Sequence, residues 1–281
     1  MRDSFLLPDA NVLISFSGGR TSAYMLFKIL EAQQFILPDS CKVVFANTGR
    51  EMPETLDFVQ RCGEEWGVPI TWLEYTKIGK RSTFKIVNHN SASRNGEPFE
   101  LLLKGKGILP NVHRRFCTQD LKVLTFKRYL KSLGWKKWIN CIGIRGDEQR
   151  RIKPSKDNRW DNWYPLYHAG ATKAIIMDFW KQQSFDLALW GKNGVTPKGN
   201  CDGCFLKSEA TLAMMFREHP ERMQWWIDIE NKHSKAVGRE AHFHATRRFA
   251  DIENFVSRQG DWIFDTEGVL CQADDGECTG L

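Results

Sequence analysis

The stretch SFSGGRTSAYML, residues 15–26, decides the fold of this chain. An apolar run rich in β-branched residues precedes the glycines, at residues 11–16, and a helix-like segment follows them, at residues 21–34. The two adjacent glycines therefore fall in a turn between a buried strand and a helix. Such a turn exposes unpaired N–H groups at the positive end of the helix dipole, which attracts anions.

Two interpretations of this turn are open from the local sequence. As an anion site, it uses glycines to bring the backbone close to a ligand without a Cβ in the way. The hydroxyl and guanidinium groups beside it belong to Ser17, Arg20, Thr21 and Ser22. As a purely structural turn, it only joins a strand to a helix that has a serine or threonine cap. The complete string S-G-G-x-T-S after a first buried strand favours the anion site.

Strand-like and helix-like segments alternate through the first half of the chain. The apolar strand-like runs are residues 11–16, 42–47, 70–75 and 138–144. The helix-like segments between them are residues 21–34, 54–67 and 118–134. This alternation predicts an α/β fold, a Rossmann-like parallel sheet with helices on both faces. We expect the polar stretch at residues 76–116 to be a long excursion at the edge of the sheet or over a site.

The pattern changes after about residue 170, where helix-like segments replace the alternation. We expect residues 1–170 to form the α/β domain that carries the glycine turn. Residues 171–281 are expected to form a mainly α-helical extension with a Cys-x-x-Cys pair and a cysteine-containing tail. Within it, residues 208–233 read as one or two helices broken near Pro220.

The composition excludes some classes of protein. Of the 281 residues, 42% are hydrophobic and 26% are charged, so the chain can bury a core and is not intrinsically disordered. No stretch approaches the roughly 18 apolar residues of a membrane span, and the N-terminus lacks a secretory apolar segment. We expect a soluble, cytoplasmic protein without a membrane partner. The net charge of +6 favours acidic partners such as nucleotides or nucleic acid.

The glycine turn resembles a known motif. SGGRTS is similar to the PP-loop, S-G-G-x-[DT]-S, of the adenine-nucleotide α-hydrolase-like superfamily, and it lacks the G-K-[ST] ending of a Walker A motif. The resemblance implies a grip on the pyrophosphate of ATP or on the phosphates of a sulfonucleotide. The residues that it implies for this grip are Ser17, Gly18, Gly19, Arg20, Thr21 and Ser22.

Two further segments resemble one branch of that superfamily, the phosphoadenosine phosphosulfate (PAPS) reductase-like family. FANTGREMPETLDFV is similar to the family segment TG-x-x-x-PET, and IGIRGDEQRRIKP to G-x-R-x-x-E-x-x-R. The nucleotide-binding residues implied are Thr48, Gly49, Arg145, Gly146, Glu148 and Arg151. The resemblance also implies catalytic roles for Arg145 and Arg150. Arginines in this segment can clamp phosphate or sulfate through bidentate contacts.

Eight cysteines in a chain expected to be intracellular need a role other than disulfides. Cys41, Cys62 and Cys141 lie in apolar patterns and are interpreted as core residues. In RRFCTQDLK and GNCDGCF, Cys117, Cys201 and Cys204 occupy positions at which the family carries cysteine sites, which implies a [4Fe–4S] cluster. A redox dithiol or a structural zinc site are the alternatives for the Cys-x-x-Cys pair.

A fourth cluster ligand is missing from these segments. Family members that bind a cluster usually have adjacent cysteines at the first site, whereas Phe116 precedes Cys117 here. Cys271, after a short apolar approach, is the favoured replacement and Cys278 is its rival. The tail ECTGL also resembles the E-C-G-[IL]-H tail whose cysteine attacks sulfur in sulfonucleotide reductases, which gives Cys278 a candidate catalytic role. This tail has Thr279 in place of the glycine and no final histidine.

The resemblance implies three functions. The first is reduction of a sulfonucleotide, PAPS or APS, to sulfite with a thioredoxin-type reductant. The second is an ATP-dependent PP-loop sulfurtransferase or nucleic-acid-modifying enzyme, which uses Mg²⁺ with ATP. The third is a nucleotide-binding accessory protein whose cluster is structural. The basic lip formed by His113, Arg114 and Arg115 is suited to an anionic substrate in either enzyme.

Overall fold

A six-stranded sheet in the order β4-β3-β2-β1-β5-β6 organises the chain. The computed structural model describes residues 2–155, 157–191, 193–244 and 247–258. The strands are β1 Val12–Phe16, β2 Cys41–Asn47, β3 Ile70–Ile78, β4 Arg81–Val87, β5 Trp138–Cys141 and β6 Trp160–Trp163. Five strands run parallel, and β4 pairs antiparallel with β3 at the edge. The predicted Rossmann-like α/β fold is confirmed, with an antiparallel edge strand added.

Helices cover the sheet and extend beyond it. They are α1 Arg20–Ala32, α2 Pro53–Glu65, α3 Glu97–Lys106, α4 Phe116–Thr118, α5 Leu124–Ser132, α6 Pro165–His168, α7 Lys173–Lys181, α8 Glu209–Glu218, α9 Pro220–Val237 and α10 Phe249–Arg258. Short 3₁₀ helices span Arg2–Phe5 and Gly146–Arg151, and a π-helical turn, Gln119–Val123, joins α4 to α5. The expected break near Pro220 is confirmed, because α8 ends at Glu218 and α9 begins at Pro220.

The two faces of the sheet bury different side chains, because successive residues of a strand point to opposite faces. Ile14 and Phe16 of β1 pack into the core shared with α1 and α2. Leu13, between them, packs on the other face against Phe126 and Leu130 of α5. Helices therefore lie on both faces, as the alternating sequence predicts.

The polar stretch at residues 76–116 is more ordered than the sequence predicts. It contains the end of β3, all of β4 and the whole of α3. The exposed positions of β4 leave it without the apolar run that marks a buried strand. Glu74 of β3 holds the loop between β4 and α3 against the sheet. Its buried carboxylate accepts hydrogen bonds from the backbone N–H and the hydroxyl of Ser93, at 2.6 and 2.8 Å.

The helices after residue 170 share the main core with the sheet. Ile176 of α7, Phe216 of α8 and Trp226 of α9 belong to the same apolar cluster as Phe16 of β1. The domain boundary at residue 170 stays a prediction. None of the helices in the described ranges combines the length and apolar character that crossing a membrane requires.

The three cysteines interpreted as core residues are buried. Cys41 and Cys141 lie on β2 and β5, and Cys62 lies on α2, all within the main apolar cluster. Burial raises the pKa of each of these thiols. They therefore stay protonated and are inert side chains of the core, which confirms the interpretation.

Candidate nucleotide and cysteine site

The glycine turn is held in shape by Ser22. The backbone N–H of Ser17 donates to the Ser22 hydroxyl oxygen at 3.2 Å, and the Ser22 hydroxyl donates to the Gly19 carbonyl at 3.0 Å. The two serine hydroxyl oxygens are 2.8 Å apart. Ser22 is buried and stabilises the turn through these hydrogen bonds to its backbone, whereas Ser17 lines a cavity.

Gly18 is required by its backbone conformation and by its neighbours. Its φ of +80° lies in the left-handed region that favours glycine. A Cβ at this position would lie 2.8 Å from Thr55 Cγ2 and 3.0 Å from Val59 Cγ2, both on α2. The bare backbone therefore allows the turn to pack tightly on α2, in addition to any approach to a ligand.

A first cavity, here the glycine-loop cavity, opens above this turn. It is lined by Ser17, Gly18, Gly19, Arg20 and Thr21 from the turn, and by Thr55, Lys173, Thr196 and Asn200 from surrounding segments. The hydroxyl of Thr55 is buried and has no hydrogen-bond partner among the residues that the structure describes. Buried polar groups are rarely left unpaired, so a cavity with such a group on its wall is suited to a polar ligand.

The Arg20 side chain anchors the segment that closes this cavity. Its guanidinium binds both oxygens of Asp186, at 2.7 and 2.8 Å, and donates to the Thr196 hydroxyl at 2.9 Å. It also donates to the carbonyls of Leu187 and Leu189. Contact of Arg20 with phosphate stays a prediction, because much of its charge is compensated by Asp186. No local sequence pattern indicates a partner 166 residues away.

A second cavity runs along the α5 face of the sheet, from Trp138 and Trp160 at the starts of β5 and β6 to Ser17 just after β1, and we call it the switch-point cavity. Strand order reverses between β1 and β5, and ligands of open parallel sheets bind at such a point. Trp138 and Trp160 form its apolar wall, with stacked rings whose centres are 5.2 Å apart. Polar groups come from Ser15, Ser17, Lys122, Lys127 and Asn140.

A third cavity, the cysteine cavity, brings together all three predicted ligands in the described chain. Cys117 lies in α4, the short helix before the π-helical turn, and Cys201 and Cys204 come from the Cys-x-x-Cys loop. The walls between them are apolar, formed by Phe99, Leu121, Phe205, Leu206 and Trp226. Single-turn π-helices are frequent at functional sites. Cys271 and Cys278 lie outside the described residues.

The three cysteines line one cavity without converging on a single point in the described chain. Within the described part of the chain, no group of three histidine, cysteine, aspartate or glutamate side chains is placed to bind one metal ion. In an iron–sulfur cluster the cysteines bind different irons and do not need to converge on one atom. Burial, together with Glu51, raises the pKa of the Cys201 thiol well above its ordinary value, while Lys122 opposes that rise.

The loop after β2 contacts the cysteine loop directly. The Thr48 hydroxyl donates to the Glu51 carboxylate at 2.9 Å and lies 3.3 Å from Cys201 Sγ. Thr48 therefore lines the cysteine cavity rather than the glycine-loop cavity. Gly49 has a φ of +80°, and its carbonyl accepts a hydrogen bond from Gly96 at 2.9 Å. Nucleotide contact by Thr48 and Gly49 stays a prediction.

Buried charges fix the Cys-x-x-Cys loop, and sequence reasoning missed them. The Asp202 carboxylate is fully buried and accepts hydrogen bonds from Arg50 at 2.6 Å, from Arg222 at 2.7 Å and from the Trp226 indole at 2.7 Å. A Cβ at Gly203 would lie 2.4 Å from the Trp226 nitrogen. The two residues between the cysteines therefore hold the loop in place. The residues that Asp202 and Gly203 contact lie far away in the sequence, so no local sequence pattern indicates these contacts.

The arginine segment, residues 145–151, contains ion pairs between its own residues. Arg145 is buried and pairs with Asp147 at 2.8 Å, while Glu148 accepts a hydrogen bond from the Arg145 backbone and pairs with Arg151. Gly146 donates to the Ala171 carbonyl just before α7. As the described residues form them, the three cavities are not lined by Arg145, Gly146, Glu148, Arg150 or Arg151. The predicted phosphate or sulfate clamp stays a prediction.

Three residues join the three cavities pairwise. Ser17 lines both the glycine-loop cavity and the switch-point cavity. Lys122 lines the switch-point and cysteine cavities, and Asn200 lines the cysteine and glycine-loop cavities. The three cavities are therefore neighbours, and each pair of them shares one lining residue.

A glycine turn at the first helix of a mostly parallel sheet, with cavities at its switch point, defines a nucleotide-binding α/β protein. The comparison with known proteins is more specific. The chain belongs to the family of phosphoadenosine phosphosulfate reductase domains, whose model matches residues 11–168. This confirms the resemblance drawn from the three motifs, and the family implies an adenine nucleotide as ligand.

The chain is also similar to a phage protein. It is 32% identical over 215 residues to a protein of Escherichia phage lambda named "Uncharacterized nin region protein ORF290". The match covers 73% of this chain and 69% of the phage protein. The family match ends before Cys201 and Cys204, so the Cys-x-x-Cys loop lies beyond it.

Proposed function

We propose that this protein is a sulfonucleotide reductase that binds an adenine sulfonucleotide beside an iron–sulfur cluster and releases sulfite. The observation that carries the proposal is the sharing of Ser17, Lys122 and Asn200 among the three cavities. A nucleotide in the first two cavities is then adjacent to the three cysteines. Membership of the PAPS reductase family supports the nucleotide part of the proposal.

The two nucleotide cavities suit different halves of the ligand. The glycine-loop cavity has the start of α1, the Thr21 backbone and the buried Thr55 hydroxyl, which suit phosphate oxygens. The switch-point cavity has the Trp138 and Trp160 wall and the Asn140 amide, which suit a nucleoside. We place the phosphates in the first and the nucleoside in the second, with Ser17 at their junction.

Three cysteines of the described chain fit a cluster. Cys117, Cys201 and Cys204 line one apolar cavity, and Cys271 is the proposed fourth ligand, with Cys278 as its rival. When bound, a [4Fe–4S] cluster supplies a compact redox or electrostatic group beside the nucleotide. The positive charge of Lys122 favours both thiolate ligands and an anionic nucleotide, because it lines the cavities of both.

The proposed reaction balances with a dithiol as reductant. A cysteine thiolate, for which Cys278 is the candidate, attacks the sulfur of the sulfonucleotide, and the bond from sulfur to the phosphate oxygen breaks. The nucleotide leaves and the cysteine carries the sulfonate. One thiolate of a thioredoxin-type dithiol then attacks the cysteine sulfur and sulfite departs. The second thiol of the reductant displaces the enzyme thiol, and the reductant is left as a disulfide.

The test compares nucleotides and products. Purified protein is heated with ATP, APS or PAPS, and a ligand of the native state raises the melting temperature. We expect the largest shift with PAPS or APS, and release of sulfite when a thioredoxin-type dithiol is added. Pyrophosphate release from ATP without sulfite from either sulfonucleotide would contradict the reductase and favour the ATP-dependent enzyme. If no nucleotide shifts the melting temperature, the nucleotide site itself is wrong.

A further inference from the structure

The positive charge of this protein is concentrated in one segment. Residues 75–119 contain nine lysines and arginines and two glutamates, a net charge of +7. The rest of the chain has thirty-one lysines and arginines against thirty-two acidic residues. The net charge of +6 therefore arises from this segment. A concentrated field of one sign attracts polyanions.

The exposed cations of the segment lie on neighbouring elements and form what we call the basic ridge. Its members are Lys80, Arg81, Lys85, Lys104, Lys106 and Arg114. The β3–β4 hairpin contacts the end of α3. The ammonium group of Lys77, on β3, lies against the backbone of Gly105, on α3, so closely that a Cβ at Gly105 would be 2.1 Å from Lys77 Nζ. Lys106 Nζ lies 5.5 Å from the centre of the Phe116 ring, at the start of α4. The ridge therefore runs from the edge strand to the residue before Cys117.

The two acids that pair with ridge lysines are less exposed than the lysines. Lys85 pairs with Glu74 at 2.8 Å, and Lys106 pairs with Asp120 at 3.0 Å. The two lysine side chains are 48% and 39% exposed, whereas the glutamate is 0% and the aspartate 11% exposed. A partner that approaches from solvent therefore meets the cations, and the carboxylates are screened from it.

We propose that the basic ridge binds nucleic acid. Strand β4 alone is roughly 23 Å long, so the cations spread along it match the repeated phosphates of a polynucleotide. An acidic protein is a poorer fit, because protein interfaces deplete lysine at their centre and rely on aromatic anchors. In the described residues of this segment, the exposed large hydrophobic side chains are Ile78, Ile86 and Ile108, with no aromatic ring among them.

The ridge ends at the cavities. Arg114 lies three residues before Cys117, which lines the cysteine cavity. A polynucleotide on the ridge therefore extends to the edge of the nucleotide and cysteine site. The binding surface is inferred from charge and exposure alone, and it holds whether the reaction uses PAPS or ATP.

The test is fluorescence anisotropy with labelled single-stranded RNA or DNA of about 16 nucleotides. The ridge variant carries Lys80→Glu, Arg81→Glu and Lys104→Glu. The matched control carries Lys136→Glu, Lys137→Glu and Lys181→Glu, which change the net charge equally at exposed positions on other elements, before β5 and at the end of α7. We expect the ridge variant to lose at least about tenfold in affinity, and the slope of log affinity against log salt to fall by about 2. The control should bind as the wild type does.

Three results would overturn the inference: no binding by the wild type, equal losses in both variants, or equally strong competition by polyglutamate at matched charge. The last result would favour an acidic protein as the partner. The melting shift with PAPS or ATP is measured on the same proteins and should be unchanged in both variants. A protein that binds the nucleotide but no polynucleotide therefore refutes the ridge and leaves the proposed function intact, and the converse result refutes only the proposed function.

Discussion

The Thr48 hydroxyl lies 3.3 Å from the sulfur of Cys201, although the two residues are 153 positions apart in the chain. The same threonine donates to Glu51, whose backbone forms an isolated β-bridge with Cys201. The loop that follows β2 and the Cys-x-x-Cys loop are therefore one structural unit. A change in either loop is expected to reach the cysteine cavity.

Asp202 holds this unit together, so its loss should destabilise the protein strongly. In Asp202→Asn, two buried or half-buried guanidinium groups, on Arg50 and Arg222, lose their counter-charge. Removing one partner of a buried ion pair destabilises a protein by about 3 kcal/mol or more. We expect a loss of this size in the free energy of unfolding, measured with urea. Asp178→Asn is the matched control, because that aspartate pairs with Lys181 on the surface and should change the stability by less than about 1 kcal/mol. Equal stabilities of the two variants would contradict the role of Asp202.

Gly18→Ala should damage the glycine turn beyond the cost of its backbone conformation. Gly134 provides the comparison, since its φ of +84° is similar but a Cβ there would meet no described atom within 4 Å. Both alanine variants lose about 1 kcal/mol from left-handed backbone strain. The Gly18 variant also pushes against Thr55 and Val59, so we expect a lower melting temperature than for Gly134→Ala and loss of the nucleotide-induced shift. If the two variants melt and respond alike, the packing argument is wrong.

Thr55→Val should separate stability from binding. In the described part of the chain the buried Thr55 hydroxyl has no hydrogen-bond partner, so its replacement by a methyl group should leave the free energy of unfolding unchanged or raise it. Nucleotide affinity should fall by about tenfold, which corresponds to one lost hydrogen bond of about 1.4 kcal/mol.

Thr125→Val is the control for the effects of Thr55→Val on the free energy of unfolding and on nucleotide affinity. The Thr125 hydroxyl donates to the Asp120 carbonyl at 2.9 Å inside the π-helical turn. Its loss should cost about 1 kcal/mol of stability and leave nucleotide affinity unchanged. Unchanged affinity in the Thr55 variant would remove this side chain from the phosphate site.

Glu230 should make stability depend on pH. Burial raises the pKa of its carboxyl from about 4.5 to about 7, against the hydrogen bonds that it accepts from the Phe243 and Phe249 backbones. Between these values the unfolded chain ionises while the folded chain keeps the proton, so the stability contributed by Glu230 falls as pH rises. The unfolding free energy of the wild type relative to Glu230→Gln should drop by about 3 kcal/mol over this window. A difference that stays constant with pH would show that Glu230 does not titrate in this window.

The elements around the glycine turn could be predicted because their signals are local. The run at residues 11–16 and the helix-like segment after it gave β1 and α1 to within two residues at each end. The edge strand β4 was missed because its exposed positions leave no apolar period. The three cysteines of the third cavity were predicted to act together from the family resemblance, not from their spacing.

The partners of charged residues could not be predicted from the sequence. Arg20 stands in a phosphate-binding motif, yet its guanidinium pairs with Asp186 on a segment that only the fold brings near. Arg145 and Arg151 likewise pair with Asp147 and Glu148 inside their own segment. A motif predicts the type of side chain at a position. Which group that side chain pairs with depends on the carboxylates that the fold places near it.

The most direct test of a shared nucleotide and cysteine centre is the visible spectrum of anaerobically purified protein during titration with PAPS. We predict a brown protein with iron–sulfur absorbance, a saturable change in that absorbance as the nucleotide binds, and loss of the colour in Cys201→Ser. Cys62→Ser changes a buried core cysteine and should keep the colour. A colourless protein that contains zinc and no iron, or a cluster spectrum that no adenine nucleotide alters, would contradict the account.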